Sequence, residues 1–406
     1  MFSKIQRRHV IIGVLFLCWV VGFIDKTAIN IAIIPISEEF GLSADHQGMI
    51  ISAFFLAYSM TQLIGGYLVD RFGARRVLSS AVAVWSLGTA ASGAVHNAVG
   101  LAATRAMTGA GEAVFPAGGS VAITEHFEKS QMARAKSVLQ SGASVGFAVG
   151  SIVITALIAA HSWQVMFYVL GGVGICMSIA LFFVMKPSDQ SVAKAKVEKV
   201  SEKKRIGALL KNSLTWKITL VYFFTNIVFW GLQSWLPSYW VKVKGMSMVQ
   251  MGAYSMIPPA LGFISFLTCG WLLDRFFHQK EKYLICIGSA VSAVFIYLMA
   301  NEESIPLAFA YLSVSNVFLN AISISVFVSI MKHFPQNTVG TATGLINSLA
   351  QLGSFASPML IGAVLSATNQ NYGIAFSVIV GCAVVVCAIA TTFPAVHGKQ
   401  PVEQTA

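Results

Sequence analysis

The sequence predicts an all-α membrane protein in which twelve transmembrane helices form two pseudo-symmetric six-helix bundles. Three observations support this fold class. Of the 406 residues, 56% are hydrophobic and only 11% are charged, whereas soluble domains carry about 25% charged residues. Twelve apolar runs approach the roughly 20 residues that cross a bilayer as a helix. An internal repeat relates the first half of the chain to the second.

The apolar runs fall into two groups of six, separated by a polar and basic connector. The first group covers 10–34, 48–69, 77–96, 99–123, 137–160 and 164–185, and the second covers 215–239, 250–273, 283–300, 306–330, 341–367 and 373–395. We therefore expect a six-helix bundle over 1–185 and a second bundle over 215–395. The basic linker between them occupies 186–214, and a short tail follows over 396–406.

The basic residues predict that both termini are cytoplasmic. With the N-terminus inside, 23 of the 27 Lys and Arg residues lie in cytoplasmic segments, and only Lys242 and Lys244 lie in external loops. Cytoplasmic loops of membrane proteins carry this excess of positive charge. The net charge of +11 is thus explained by topology. We therefore expect the protein to associate with the lipid bilayer and not to bind nucleic acid.

Two pairs of similar segments indicate an internal duplication. GGYLVDRFGARR (65–76) ends the second span and CGWLLDRFFHQK (269–280) ends the eighth. SVLQSGASVGFAVG (137–150) in the fifth span is similar to GLINSLAQLGSFAS (344–357) in the eleventh. The two offsets are nearly equal, 204 and 207 residues. Parallel halves with a site between them at the bilayer midplane are an architecture of secondary transporters.

GYLVDRFGARR (66–76) resembles the loop signature G-x-x-x-D-R-x-G-x-R-R of the major facilitator superfamily. The resemblance covers essentially the whole chain and implies the major facilitator fold. The second half keeps the Asp-Arg pair but not the Gly and Arg residues that follow it. The resemblance implies a role in conformational gating, through charge pairs between cytoplasmic helix ends, for Asp70, Arg71, Gly73, Arg75, Arg76, Asp274 and Arg275.

A narrower match is to the anion:cation symporter family. RAMTGAGEAVFPAGGS (105–120) resembles the signature of the fourth helix of that family, and WLPSYW (235–240) and GLINSLAQLGSFASPMLIG (344–362) resemble further segments. Members of the family carry organic anions such as hexonates, hexuronates, sugar diacids and aromatic acids, and the animal sialate and glutamate carriers are related to them. The resemblance implies a protein of the bacterial inner membrane.

Four ionisable side chains other than His fall inside the predicted spans: Asp25, Lys26, Arg105 and Glu112. A charge at the bilayer centre costs about 2.5–3.5 kcal/mol on insertion scales, and such residues usually face a water-filled pathway. Arg105 and Glu112 are seven residues apart on one helix face, roughly 10 Å along its axis. Asp25 and Lys26 diverge by about 100° around their helix. Their predicted depths are similar. Since the first and fourth helices line the cavity in the superfamily, the resemblance implies that all four surround one central chamber.

The charges suggest different roles for these four side chains. Arg105 offers a planar fork that matches a carboxylate, and Lys26 adds a second positive charge, so both are candidate groups for binding an anion. Asp25 and Glu112 repel that anion when they are ionised, so protonation of a carboxyl can accompany anion binding. The family's proton-linked members carry an Asp and a Glu at these two places. It usually has Arg at the position of Lys26, and Lys can instead extend toward the interface.

Polar side chains supply further candidate substrate contacts. By resemblance, Tyr58, Gln140 and Asn347 match positions where the family contacts sugar acids. Gln140 and Asn347 are also equivalent in the internal repeat. Hydrogen bonds between helices are an alternative role for each of the three.

The expected function is therefore proton-coupled uptake of a small organic anion, most simply a sugar acid, by a monomer that alternates access between the two sides. Buried ion pairs without any transport role are one alternative for the four charges. A carrier of the same superfamily that exports or exchanges organic anions, drugs or phosphate esters is another. An intramembrane enzyme is disfavoured because no span contains a nucleophile or metal-ligand motif. We expect no cofactor and no metal, and protons as the coupling ion.

Overall fold

The computed structural model describes residues 4–185, 206–275, 281–335 and 338–393. These residues form fourteen helices of eight residues or more and a short helical segment over 206–211, with no strand among them. The helices are α1 Lys4–Phe40, α2 Ala44–Phe72, α3 Ala74–Ser92, α4 Ala98–Glu112, α5 Phe115–His126, α6 Lys129–Ala160, α7 Trp163–Val184, α8 Ser213–Lys242, α9 Met248–Ser255, α10 Ile257–Arg275, α11 Glu281–Asn301, α12 Ile305–His333, α13 Val339–Ala367 and α14 Tyr372–Thr391.

These helices supply the twelve predicted spans. Seven of them, α1, α6, α7 and α11–α14, contain described segments long and apolar enough to cross a membrane by length and composition. The other five spans are α2, α3, α8 and the consecutive pairs α4–α5 and α9–α10. The predicted linker lies outside the described residues as far as position 205, and the predicted tail over 396–406 lies wholly outside them.

Two predicted spans are each divided into two helices, and a proline lies close to each point of division. The fourth span is interrupted at Ala113–Val114, between α4 and α5, and Pro116 opens α5. Proline has no N–H, so the carbonyl of Glu112 loses its usual partner one turn later. The eighth span is interrupted at Met256, just before Pro258. Hydropathy alone does not reveal these interruptions because most of the residues around each break are apolar.

Local sequence fixes several helix ends. Asn97 and Ser162 accept hydrogen bonds from the backbone N–H three residues on, at 2.8 and 3.3 Å, and so cap α4 and α7. Ser247 and Gln250 form a reciprocal capping box at the start of α9. Such caps satisfy N–H groups that have no partner within the helix. Gly73 joins α2 to α3 at φ +82°, a conformation that a side chain disfavours.

Glycine faces allow close helix packing in both halves. Gly142, Gly146 and Gly150 recur every fourth residue on α6 and lie against α1. A Cβ at Gly146 would come within 2.6 Å of the Val20 carbonyl oxygen and of Phe23 Cβ. In the second half, Gly353 of α13 abuts the backbone of Phe223 on α8 in the same way. The internal repeat seen in the sequence therefore corresponds to equivalent helix pairs, since small residues let membrane helices approach closely.

The two halves meet on one side of the bundle. We call the side where α1 begins and α2 ends, which carries Arg8, Arg71 and Arg75, the basic face, and the other side the opposite face. At the opposite face, Ser366 donates to Asp45 Oδ1 at 2.8 Å, and Ser52 donates to the Phe355 carbonyl at 2.7 Å. These contacts join α2 to α13 and close the opposite face.

Candidate functional site

The four predicted buried charges lie on α1 and α4, and glycines bring their helices together. Asp25 and Lys26 lie beyond the middle of α1, and Glu112 is the last residue of α4, directly before the helix break. A Cβ at Gly22 of α1 would lie 3.6 Å from the Glu112 carboxylate. Gly109 abuts the backbone of Phe54 on α2. The chain thus positions a carboxylate at a helix end against the centre of α1.

Lys26 and Glu112 form an ion pair between Nζ and Oε2. Both side chains are buried, with 5% and 2% of their surface exposed. The rings of Phe23, Phe54 and Tyr58 surround the ammonium, with centroids 4.6, 5.5 and 5.5 Å from Nζ. Cation–π attraction adds to the ion pair because the site excludes water. The second oxygen of Glu112, Oε1, has no hydrogen-bond partner among the described residues.

Asp25 is buried beside this pair but does not bond to Lys26. Its Oδ2 accepts a hydrogen bond of 3.3 Å from Thr89 on α3, and its Oδ1 has no partner in the described part of the chain. Neither of the same-helix pairings considered from the sequence, Asp25 with Lys26 or Arg105 with Glu112, is among the ion pairs of the described residues. The pairing runs between helices instead.

Arg105 is fully buried and is held by hydroxyl groups. Its Nη2 donates to Ser92 Oγ at 2.8 Å and to Thr108 Oγ1 at 3.3 Å. The Phe167 ring centroid lies 5.1 Å from the guanidinium carbon. Among the described residues, Nε has no acceptor and no carboxylate lies within ion-pair distance of the guanidinium. The guanidinium therefore retains positive charge that no described side chain neutralises.

Asp25, Lys26 and Arg105 line one small cavity, which we call the charged cavity. Its other lining residues are Ile29, Asn30, Ile51, Phe54 and Phe55. As their predicted divergence around α1 implies, Asp25 and Lys26 bond to different helices. Both side chains nevertheless line this cavity. An anion inside the charged cavity would meet two cations and one carboxylate. The arrangement suits an anion that enters together with a proton.

Of the three other predicted contact residues, only Tyr58 lies beside the buried charges. Tyr58 is buried, and its ring faces the Lys26 ammonium. Gln140 on α6 is exposed, and Asn347 on α13 is half-buried. Neither of these amides lines the charged cavity. Their predicted contact with substrate stays a prediction.

The predicted gating residues lie at the basic face. Gly73 makes the turn between α2 and α3, Arg71 donates to the Tyr67 hydroxyl at 2.8 Å, and Arg75 donates to the Phe182 carbonyl at 2.8 Å. Arg76 is exposed. The side chains of Asp70, Asp274 and Arg275 lie outside the described residues. Their predicted charge pairs therefore stay predictions.

Sequence reasoning missed the hydroxyl groups that hold the buried charges. Thr89 and Ser92 lie three residues apart on α3, one bonded to Asp25 and the other to Arg105. Thr104 and Thr108 lie four apart on α4, and the Thr104 hydroxyl also bonds to Ser92. Residues at these spacings share a helix face. That periodicity was the available signal, but hydroxyl groups in membrane helices more often bond to their own backbone.

A family comparison agrees with the fold. The model described as Major Facilitator Superfamily matches residues 15–358. The hexuronate transporter of Bacillus subtilis is 28% identical over 389 residues, covering 92% of this chain and 91% of that protein. The probable sulfoacetate transporter of Cupriavidus necator is 27% identical over 415 residues, with 97% and 95% covered. The D-galactonate transporter of Escherichia coli is 26% identical over 402 residues, with 91% of both chains covered.

Solved structures show the same fold. A bacterial homologue of the human lysosomal transporter Spinster, in an inward-facing and unoccupied conformation, aligns with a TM-score of 0.83 at 18% identity over 96% of this chain and 97% of that one. The nucleoside transporter NupG aligns with a TM-score of 0.79 at 13% identity, over 96% and 100% of the two chains. With the family model matching most of the sequence, the chain belongs to the Major Facilitator Superfamily and is a multi-pass membrane transporter, not an enzyme.

Proposed function

We propose that this transporter is a proton-coupled symporter that takes up a small organic anion, a sugar acid such as a hexonate, hexuronate or aldarate, by alternating access. It would lie in the inner membrane of a bacterium as a monomer with both termini in the cytoplasm. The 23-to-2 division of basic residues between the two sides supports this orientation. The basic face is then the cytoplasmic face.

The observation that carries the proposal is the buried ion pair of Lys26 and Glu112. An ionised Glu112 occupies the ammonium group that an incoming carboxylate needs. Charges interact strongly where water is excluded, so substrate and Glu112 compete for Lys26. A proton on Glu112 removes its charge and frees Lys26 for the substrate. Anion binding and proton binding thereby become linked, which is the requirement for symport.

Arg105 and Asp25 complete the argument for an anion site. The Arg105 guanidinium borders the charged cavity and has only hydroxyl partners among the described residues. A carboxylate in the cavity would supply the missing negative charge through two parallel hydrogen bonds. Asp25, whose Oδ1 has no partner among the described residues, gives the cavity a second group that can take a proton.

The relatives support an organic anion as the substrate class. Those named above are described as carriers of hexuronate, D-galactonate and sulfoacetate, all of which are small anions. Two of these three anions are sugar acids. The closed opposite face is the arrangement expected of one end state of alternating access.

Uptake by purified protein in liposomes tests this proposal. We expect galactonate or galacturonate to accumulate when an inward proton gradient is imposed. Glu112→Gln keeps the size and hydrogen-bonding capacity of the side chain but cannot exchange a proton. We expect this variant to lose gradient-driven accumulation while it still exchanges labelled for unlabelled substrate. Glu128→Gln, at an exposed acid that pairs with Arg8, is the matched control and should accumulate substrate normally.

Two results would contradict the proposal. Accumulation that responds to a sodium gradient alone would exclude proton coupling. Full accumulation by Glu112→Gln would mean that the ion pair with Lys26 is structural and that coupling resides elsewhere.

A further inference from the structure

A second cavity lies between the two halves and adjoins the charged cavity. We call it the neutral cavity, because none of its 19 lining residues carries an ionisable side chain. Its polar lining includes Asn30, Gln233 and Asn316, and its aromatic lining includes Phe229, Trp240 and Phe309. Asn30 lines both cavities. The two spaces therefore meet at this amide.

Resting on the proposed function, we propose that the neutral cavity binds the hydroxylated carbon chain of the substrate while its carboxylate lies in the charged cavity. The substrate class is then a polyhydroxylated acid of about six carbons, as opposed to a short anion without hydroxyl groups. Gln233 and Asn316, both from the second half of the chain, are the residues assigned to hydroxyl recognition.

Asn30 gives the first reason. Only 3% of the residue is exposed, and its Oδ1 has no hydrogen-bond partner among the described residues. Buried polar groups in folded proteins are nearly always satisfied, so an orphan acceptor bordering a cavity points to a donor that is bound there. A substrate hydroxyl is such a donor, whereas a carboxylate is not.

The carboxamides on the far side give the second reason. Asn316 Oδ1 accepts from Asn320 Nδ2 at 3.0 Å. A Cβ at Gly262 would lie within 2.7 Å of both amides, so the glycine leaves room for this pair. The bond orients the Asn316 amide and leaves its N–H groups as donors. Gln233 makes no side-chain hydrogen bond to another described residue. Amides both donate and accept, which matches hydroxyl groups that do the same.

The walls of the neutral cavity favour a carbohydrate over an anion. Trp240 and Phe309 stack with ring centroids 4.4 Å apart. Aromatic faces carry partial negative charge, so they favour the C–H groups of a sugar chain and disfavour a carboxylate. The three other polar residues of the lining, Thr27, Ser151 and Ser255, already donate hydrogen bonds within their own helices.

The distances suit a six-carbon chain. Asn30 lies four residues beyond Lys26 on α1, about 6 Å along the helix axis. An extended six-carbon chain spans about 6 Å at ordinary carbon–carbon bond lengths. A carboxylate beside Lys26 and Arg105 would thus place the distal hydroxyl groups in the neutral cavity.

The test compares two probes on the purified full-length protein by calorimetry. D-galactonate carries a carboxylate and a hydroxylated chain, whereas sulfoacetate carries two acidic groups and no hydroxyl group. We expect Gln233→Ala and Asn316→Ala each to weaken galactonate binding about tenfold and to leave sulfoacetate binding unchanged. Gln131→Ala, at an exposed amide on α6, is the matched control and should change neither. Circular dichroism and a melting curve establish that each variant is folded.

Each other outcome overturns the inference. Galactonate binding that survives both substitutions would remove the neutral cavity from recognition and leave the proposed symport intact. Equal weakening of both probes would place Gln233 and Asn316 in general support of the fold. Tighter wild-type binding of sulfoacetate than of galactonate would reject a polyhydroxylated substrate. Failure of the wild type to bind any organic anion would reject the proposed function itself.

Discussion

Arg105 differs in its surroundings from Lys26, the other buried cation among the described residues. Lys26 has a carboxylate partner, whereas Arg105 has two hydroxyl groups and an aromatic ring. Serine and threonine hydroxyls orient the guanidinium without neutralising it. In the proposed function, a cation that is held in place and still charged is ready to bind the incoming carboxylate. The lack of a carboxylate partner for Arg105 among the described residues is thus as informative as its observed contacts.

Arg105→Lys tests whether the planar fork matters in addition to the charge. Lysine keeps the charge but cannot form two parallel hydrogen bonds to a carboxylate. A hydrogen bond to a charged group contributes about 1.5–3 kcal/mol, so we expect galactonate binding to weaken at least tenfold. Arg8→Lys, at the exposed pair with Glu128, serves as the control. Unchanged affinity in Arg105→Lys, measured by calorimetry, would remove Arg105 from direct contact with the anion.

The packing of α1 against α6 determines where the charges of α1 lie. Gly142, Gly146 and Gly150 form a flat face on α6 that receives the side of α1 bearing Phe16, Val20 and Ile24. That contact leaves Asp25 and Lys26 on the other side of α1, toward α3, α4 and the charged cavity. An apolar contact between two helices thus orients the polar residues that they carry.

Gly146→Ala should destabilise this helix pair. The added methyl group would overlap the Val20 carbonyl and Phe23, and overpacking of this kind costs about 1–3 kcal/mol. Gly172→Ala on α7 is the matched control, because a Cβ there has no neighbour within 4 Å. We expect a lower melting temperature in detergent for Gly146→Ala alone. Identical melting curves for the two variants would show that α1 and α6 can move apart without a loss of stability.

For the whole molecule, the contact between α2 and α13 holds the opposite face closed. The Asp45 carboxylate accepts a hydrogen bond from Ser366 across the two halves. Hydrogen bonds from Ser43 and Ser366 lower the pKa of Asp45 to about 2. A lowered pKa means that this contribution is present above the ordinary pKa of aspartate and is lost only as the pH falls toward 2. The Asp45 carboxylate therefore stays ionised, and keeps its bond from Ser366, through the neutral pH range.

A reversible cross-link tests whether this closure must open during transport. In the double variant Asp45→Cys with Ser366→Cys, oxidation should join α2 to α13 and stop galactonate uptake, and a reductant should restore it. Each single cysteine variant, oxidised in parallel, is the control and should keep its uptake. Normal uptake by the oxidised double variant, with the cross-link verified by mass spectrometry, would contradict alternating access through this face.

Much of the architecture was predictable because the bilayer constrains the length and polarity of the segments that cross it. The spans, the internal repeat and the central position of Asp25, Lys26, Arg105 and Glu112 follow from apolar length, offset and buried charge. The sequence could not give the partner of each charge, because the pairing of Lys26 with Glu112 depends on how α1 and α4 rotate about their axes. Nor could it identify the orphan acceptor of Asn30, which becomes apparent only when every neighbouring donor is known.

The division of the site between the two halves has a consequence for how such a carrier can change. All four buried charges lie on helices of the first half, whereas Gln233, Asn316 and most of the neutral cavity belong to the second. In the proposed mechanism, substitutions in the second half can therefore change hydroxyl recognition while the groups assigned to proton coupling and carboxylate binding stay in place. Substitutions confined to the second half could then change the substrate while the four buried charges of the first half are kept. A laboratory library of variants restricted to α8–α12 would follow the same route.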